Sequence, residues 1–272
     1  MRIFIVILIF NSVLSLSAQQ KIVVVNRETH EVVSFPKITY LKNDSIVLGD
    51  SSGVFQYKNS MRVEVSCIGY EPFKIERNLD KDTISLKKKV TTLEEVIITG
   101  KSEPKYEEYG FHNWRKKTFR ISSVEQKFYP GVYIKNPLKE SKALIKKVYL
   151  KIKSKKKGSY VRLHIYAFNT ETQKIERELL QENIILSVKN SNKLKVINIE
   201  DYKVEFPKTG VIVAIELIKN TDSINIAFGK SKSENISQTY YVRPKYEKHK
   251  PIKIEMGEKG NLNYMFGVLV AY

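Results

Sequence analysis

The chain has 272 residues, with 47 lysines and arginines against 29 aspartates and glutamates, for a formal charge of +18. Cys67 is the only cysteine, which excludes an intramolecular disulfide, so stability has to come from a buried apolar core. Beyond the first residues no segment has the roughly 20 uninterrupted apolar residues of a membrane-spanning helix, and the four histidines form no local zinc motif.

Residues 1–18 read as a secretory signal peptide. Arg2 supplies the positive start, Ile3 to Phe10 is wholly apolar, and small residues lead to Ala18. A retained N-terminal anchor is the alternative. Short segments rich in β-branched residues follow. They are Lys21 to Asn26, Val32 to Pro36, Ile38 to Leu41, Ile46 to Leu48, Val54 to Tyr57, Met61 to Phe73, Phe73 to Ile75 and Asp82 to Leu86. Turn chemistry separates them at Lys42-Asn43-Asp44-Ser45 and at Gly49 to Gly53. In Met61 to Phe73, Val63, Val65 and Cys67 alternate with Arg62, Glu64 and Ser66 and then break at Gly69-Tyr70, which predicts a half-buried strand running into a turn. Short strands at regular spacing predict an all-β sandwich.

Glu103 to Pro137 differs in composition. Tyr106, Tyr109, Phe111, Trp114, Phe119, Phe128, Tyr129 and Tyr133 are mixed with Arg115, Lys116, Lys117 and Arg120. Residues 101–137 are expected to be an aromatic-rich connector, a short helix or irregular wrap packing two domains together; stacking on sugars or bases is the functional alternative. From 138 to 272 the β pattern returns, with alternation in Val148 to Lys153 and in Val161 to Ala167, and tight turns at Gly158-Ser159 and Pro207 to Gly210. Further strands are expected at Ile184 to Leu186, Leu194 to Ile199, Ile224 to Phe228, Gln238 to Val242, Ile252 to Ile254 and Asn263 to Tyr272. Val211 to Leu217 is apolar on nearly both faces, as a central strand would be. The expectation is a second β-sandwich of jelly-roll type.

The order of the first strand, Gly53-Val54-Phe55, Val63 to Tyr70, Thr83 to Leu86 and Leu93 to Gly100 resembles the carboxypeptidase-regulatory-like domain of exported proteins of Bacteroidetes-type bacteria. The resemblance covers residues 21–100. It implies a seven-stranded, transthyretin-like (Ig-like) sandwich that serves as an accessory, docking or spacer module and carries neither zinc ligands nor protease activity. A departure is Val33-Ser34-Phe35-Pro36, where the family has Val-Pro-x-Ala; this leaves the register of the second strand open. Leu93 to Gly100 looks like the junction before outer-membrane receptors, but the remaining chain is too short for a plug and large barrel. The second half, especially Val161 to Tyr166 and Tyr202 to Leu217, resembles the second domain of similar exported proteins and implies fold rather than activity.

Chemistry is hard to find. His30, His112, His164 and His249 are far apart. No catalytic, cofactor-binding or metal-binding residue is assigned, and no cofactor is expected. Cys67 shares the apolar face of Val63 and Val65 and is expected to be an inert core thiol. Glu94-Glu95 and Glu107-Glu108 point to opposite strand faces and form no carboxylate pair by adjacency. Arg162, His164 and Tyr166 share one strand face; they are expected to meet solvent with cross-strand partners, the alternative being a polar binding face. Lysine runs at Lys87 to Lys89, Lys146-Lys147 and Lys153 to Lys157 favour anionic partners such as acidic glycans or an envelope surface, or serve as solvated guards of strand edges.

The expected protein is thus a non-enzymatic exported binding or scaffolding module. It would reside in the periplasm or at the outer membrane or cell surface, without nucleic acid and without a transmembrane helix after signal cleavage. Its partner would be an anionic glycan, an envelope surface or an outer-membrane protein. The alternatives are a polysaccharide- or peptide-directed hydrolase and a small outer-membrane β-barrel, the latter suggested by Tyr264, Phe266, Val268, Val270 and Tyr272 on one face of the last strand.

Overall fold

The computed structural model describes residues 19–58, 61–76, 79–89, 103–110, 118–122, 128–138, 143–218, 221, 223–230, 237–243, 249–256 and 262–272. The expected signal peptide, the junction with Glu94-Glu95, and His112 and Trp114 lie outside them. The chain divides into two compact units, Met1–Lys89 and Val90–Tyr272. Among the described residues there is no α-helix; strands account for the regular structure, apart from a 3-10 turn at Glu200–Tyr202. Among the described residues no helix is long and apolar enough to cross a membrane.

The described residues of the first unit form seven strands, β1 (Gln19–Asn26), β2 (Lys37–Tyr40), β3 (Ile46–Leu48), β4 (Val54–Lys58), β5 (Val63–Ser66), β6 (Phe73–Ile75) and β7 (Thr83–Leu86). They form a sheet of three, in the order β4-β1-β7, and a sheet of four, in the order β3-β2-β5-β6. The first and last strands pair in parallel, with Val23 opposite Thr83 and Asn26 opposite Leu86. One core draws on both sheets: Ile22, Val24, Phe55, Tyr57, Ile84 and Leu86 from the first, Ile38, Val63, Val65 and Ile75 from the second, with Cys67 beside them. The alternation in Met61 to Phe73 therefore produces the strand and the buried face it predicts. Gly69 turns the chain at φ 83°, and the turn is pinned to the strand end by Lys89 N–H donating to Gly69 O at 2.8 Å.

The Val32 to Pro36 segment is a turn rather than a strand. Val32 makes a single bridge to Val25, Phe35 has φ 52°, and β2 starts at Lys37. The loop before β4 is closed by the Asp50 carboxylate, which accepts from Ser52 N–H and Val54 N–H at 2.9 Å each. Gly53 at φ 70° has no room for a side chain, because a Cβ there would lie 2.8 Å from Val24 O.

The second unit contains β8 (Tyr106–Gly110), β9 (Thr118–Ser122), β10 (Tyr129–Ile134), β11 (Leu144–Leu150), β12 (Ile152–Lys153), β13 (Ser159–Asn169), β14 (Lys174–Glu178), β15 (Ile185–Val188), β16 (Lys195–Asn198), β17 (Val204–Glu205), β18 (Val211–Leu217), β19 (Ser223–Lys230), β20 (Ser237–Val242), β21 (Ile252–Ile254), β22 (Leu262–Tyr264) and β23 (Phe266–Ala271). The largest sheet runs β14-β13-β18-β10-β20-β21, with β15 also on β13. Its middle neighbours, β13, β18, β10 and β20, are distant in sequence, so crossovers build the middle of the sheet, while β13 and β14 form a hairpin at one end. A second sheet runs β16-β11-β23-β8, with β17 also on β11, and a third joins β12, β19, β22 and β9. As expected from its apolar faces, β18 lies between two strands.

The stretch expected to be a connector is corrected by these pairings. Residues 106–134 supply three strands of the second unit: β8 pairs with β23, β9 with β19, and β10 with β18 and β20. The cause is visible in Tyr129-Pro130-Gly131-Val132-Tyr133, where aromatics recur at the period of a strand and alternate with residues buried on the other face. The barrel alternative placed one face of β23 against lipid. Instead Phe266, Val268 and Val270 are fully buried, as residues of a packed core are.

Candidate functional site

Two places in the second unit bring chemistry-bearing side chains together. The first is on β13. Its odd-numbered residues Val161, Leu163 and Ile165 are fully buried with Val213 and Ile215 of β18. The even-numbered residues Arg162, His164 and Tyr166 are buried as well, at 2%, 6% and 2% exposure. The expected solvent face is therefore an interior face, a correction that only the neighbouring strands explain.

Those neighbours supply the partners. Glu216, opposite Arg162 in the ladder, accepts from Arg162 Nη1 at 2.7 Å and from the Tyr129 hydroxyl at 2.7 Å. His164 Nε2 lies 3.4 Å from the same carboxylate, and His164 Nδ1 lies 2.7 Å from Glu178 Oε2. The other oxygen of Glu178 accepts Ile165 N–H at 2.9 Å. Arg162 Nε donates to Asn183 Oδ1 at 2.8 Å. The His164 ring is stacked between Tyr129 and Tyr166, with centroids 5.1 and 5.3 Å away and planes 10° apart in both pairs.

Room for these rings comes from small residues. His164 pairs with Ala214, which pairs with Gly131. A Cβ on Gly131 would meet Ile212 Cγ2 at 2.9 Å and Ala214 Cβ at 3.0 Å. Tyr133, Phe168 and Tyr240 close the aromatic cluster beside this trough.

The electrostatics follow from burial. For His164, burial disfavours the imidazolium, but Glu178 and then Glu216 favour it, and the balance raises its pKa. Burial, then the Glu216 carboxylate, pushes the Tyr129 hydroxyl well up, and burial, followed by Tyr240, brings Tyr133 up to about 12. With His164 protonated, Arg162 and His164 balance Glu178 and Glu216, and the buried cluster carries no net charge. Two carboxylates and a histidine converge here, as a hydrolase would require, yet their atoms are engaged with one another and with backbone. Among the described residues no group of histidine, cysteine and carboxylate side chains could hold a metal ion.

The second place is the lysine turn between β12 and β13. Ser154 and Ser159 are buried and bonded to each other through their hydroxyls at 2.8 Å. Ser154 Oγ also accepts Lys156 N–H at 3.2 Å; with one hydrogen each, the two hydroxyls supply their mutual bond and one of the two carbonyls in reach, Ser223 O at 3.2 Å from Ser154 Oγ or Lys156 O at 3.1 Å from Ser159 Oγ. These bonds tie the backbone at Lys156, in an exposed turn that carries Lys155, Lys156 and Lys157. The neighbouring loop after β15 adds to it: Ser154 N–H donates to Lys189 O at 3.2 Å, and Lys153 Nζ donates to Asn192 Oδ1 at 3.1 Å. Burial and then the charge on Lys189 lower the pKa of Lys195, so like charges are crowded here.

Other residues singled out by the sequence are dispersed. Cys67 is buried in the first core. His30 and His249 are exposed. Glu107 receives the Tyr109 hydroxyl, whereas Glu108 bonds to Tyr149, whose pKa rises to about 12 through burial and then that carboxylate. Of the aromatics of the expected connector, Tyr109 packs on Phe206 and Phe128 stacks on Tyr241, at centroid distances of 5.8 and 5.9 Å; both contacts lie within the second unit. The side chains of Phe111, Trp114, Arg115 and Phe119 lie outside the described residues. Glu178, Glu216 and Tyr129 were not tied to His164 by any sequence signal; the pairing of β13 with β18 and β14 creates the site.

No family model matches the chain, and no curated protein matches it. Among solved structures it is similar to the cysteine protease and lectin-like domains of Cwp84, a surface layer associated protein of Clostridium difficile, at 11% identity and a TM-score of 0.42 over 85% of this chain and 49% of that one. The chain thus spans about half the length of that structure. It is also similar to the structure of infectious bursal disease virus, Gx strain, at 11% identity and a TM-score of 0.24, covering 94% of this chain and 62% of that one.

Proposed function

We propose that this is an exported, non-enzymatic binding or scaffolding protein of the bacterial envelope. Its second unit engages an acidic glycan or another anionic surface through Lys153 to Lys157 together with Lys189. The observation that carries this reading is the lysine turn itself, which two buried serine hydroxyls hold in place. An anion relieves crowded positive charge, and a preformed loop loses little conformational entropy on binding it. The first unit, with its apolar core, is proposed to act as an accessory or spacer sandwich of the carboxypeptidase-regulatory-like kind, and residues 1–18 as the export signal.

The test is retention of the purified chain on a sulfated polysaccharide matrix over a salt gradient. Lys155→Glu, Lys156→Glu and Lys157→Glu combined should elute at clearly lower salt. Lys87→Glu, Lys88→Glu and Lys89→Glu combined, which make the same charge change in the other unit, where Lys87 is an exposed partner of Glu71, should elute close to the parent. Equal loss in both variants would reduce the effect to net charge and sink the site.

A further inference from the structure

We propose that the sheet β16-β11-β23-β8 continues from one copy of the chain to the next, head to tail, with the β8 edge of one copy pairing with the β16 edge of another. The sheet order leaves these two strands outermost, and among the described residues no strand pairs with their far sides.

Ladder geometry shows which backbone groups those edges offer. Ile199 N–H donates to Lys146 O at 2.9 Å. In an antiparallel ladder alternate residues point the same way, so Ile197 and Lys195 also face β11, and Val196 and Asn198 turn their N–H and C=O outward. Lys105 and Tyr272 exchange two backbone bonds of 3.0 Å. By the same alternation Glu107 and Tyr109 face β23, and Tyr106 and Glu108 point outward. Each edge therefore presents two outward residues in an extended conformation.

The chemistry of the edges makes the choice of partner. The β8 edge carries Glu107 and Glu108, both exposed, with Glu107 also accepting from Tyr109 and Glu108 also bonded to Tyr149. The β16 edge carries Lys195 and follows Lys193. Pairing two copies through the same edge sets glutamate against glutamate or lysine against lysine, whereas the unlike pairing sets opposite charges together. Both edges also leave apolar surface in water, since Tyr106 and Val196 are each 55% exposed and Leu194 is 38% exposed. Strand direction agrees. The three pairings across the sheet are all antiparallel, so β8 runs opposite to β16. A copy displaced sideways then brings its β8 antiparallel to β16, and the sheet continues without inversion. Nothing closes such a contact at two copies. The short edges make it weak and its charges make it sensitive to salt.

Sedimentation velocity of the purified full chain over a concentration series at low salt tests this. Glu108→Pro and Val196→Pro each remove an outward N–H while sparing the internal ladder. The parent should grow in average mass with concentration, beyond a dimer, and shrink at high salt. Each proline variant alone should remain a monomer, and an equal mixture of the two should form dimers and nothing larger. Glu107→Lys with Glu108→Lys should behave like Glu108→Pro, and it replaces that variant if a thermal melt shows the proline has unfolded the chain. A parent that stays monomeric overturns the proposal. So do dimers that resist one proline but not the other, assembly that resists both, and a mixture that stays monomeric.

Discussion

The cores of the two units are built on different terms. In the first, Ile22, Val24, Ile38, Val63, Val65, Ile84 and Leu86 meet across two sheets, and no charged residue is among the buried ones described there. In the second, Arg162, His164 and Glu216 are buried beneath aromatic rings. An apolar core is stabilised by area removed from water and tolerates changes that keep volume. A buried charge cluster is neutral or costly against a hydrophobic replacement of the same shape, but it penalises any arrangement that separates its members. The difference teaches that the first unit is held by general forces, and the second by a set of partners that only one strand order brings together.

Removing one member of the cluster should have the largest effect. Glu216→Ala leaves the Arg162 guanidinium and the Tyr129 hydroxyl buried without their acceptor, and should cost about 3–5 kcal/mol in urea unfolding followed by tyrosine fluorescence. The double variant Arg162→Met with Glu216→Leu should recover most of that loss; failure to recover would mean the pair is stabilising in its own right. In the first unit Ile38→Val should cost only about 0.5–1.5 kcal/mol, and a loss as large as that of Glu216→Ala would erase the contrast.

Acidity sharpens the comparison further. The folded state raises the pKa of His164, first against burial and then through Glu178 and Glu216. Its contribution is therefore complete below about pH 6.5, the unfolded value, and is lost as pH rises through the folded value. Urea midpoints should fall from mildly acidic to mildly alkaline conditions, and less steeply in Glu178→Gln. An unchanged slope in that variant would remove His164 as the cause. The smallest effect is expected at Lys155, Lys156 and Lys157, whose replacement by glutamate should change stability by about 0.5 kcal/mol or less each, while glycan retention falls.

Much of the architecture was legible because alternation reports directly on strands. Met61 to Phe73 reads as a strand with Val63, Val65 and Cys67 on one side, and all three are buried. The apolar Val211 to Leu217 reads as central, and it is. The stretch from Tyr106 to Tyr133 was harder, since aromatics interleaved with charges fit a wrap as well as a strand. Tyr129 and Tyr133 became strand residues because β18 and β20 flank them. β14 escaped notice because Lys174 to Glu178 is polar along most of its length and only Ile175 is buried.

By itself the sequence determined that the chain is all-β, where most strands turn, and which residues share a face; backbone periodicity is local and is written in a few neighbouring side chains. It did not determine what lies over each face. Arg162, His164 and Tyr166 alternate as a solvent face would, and the tertiary structure makes them an interior one. The reason is distance along the chain: Glu178 and Glu216 reach His164 from 14 and 52 residues away. A charge with so remote a partner looks exposed until the strands that carry the partner are in place.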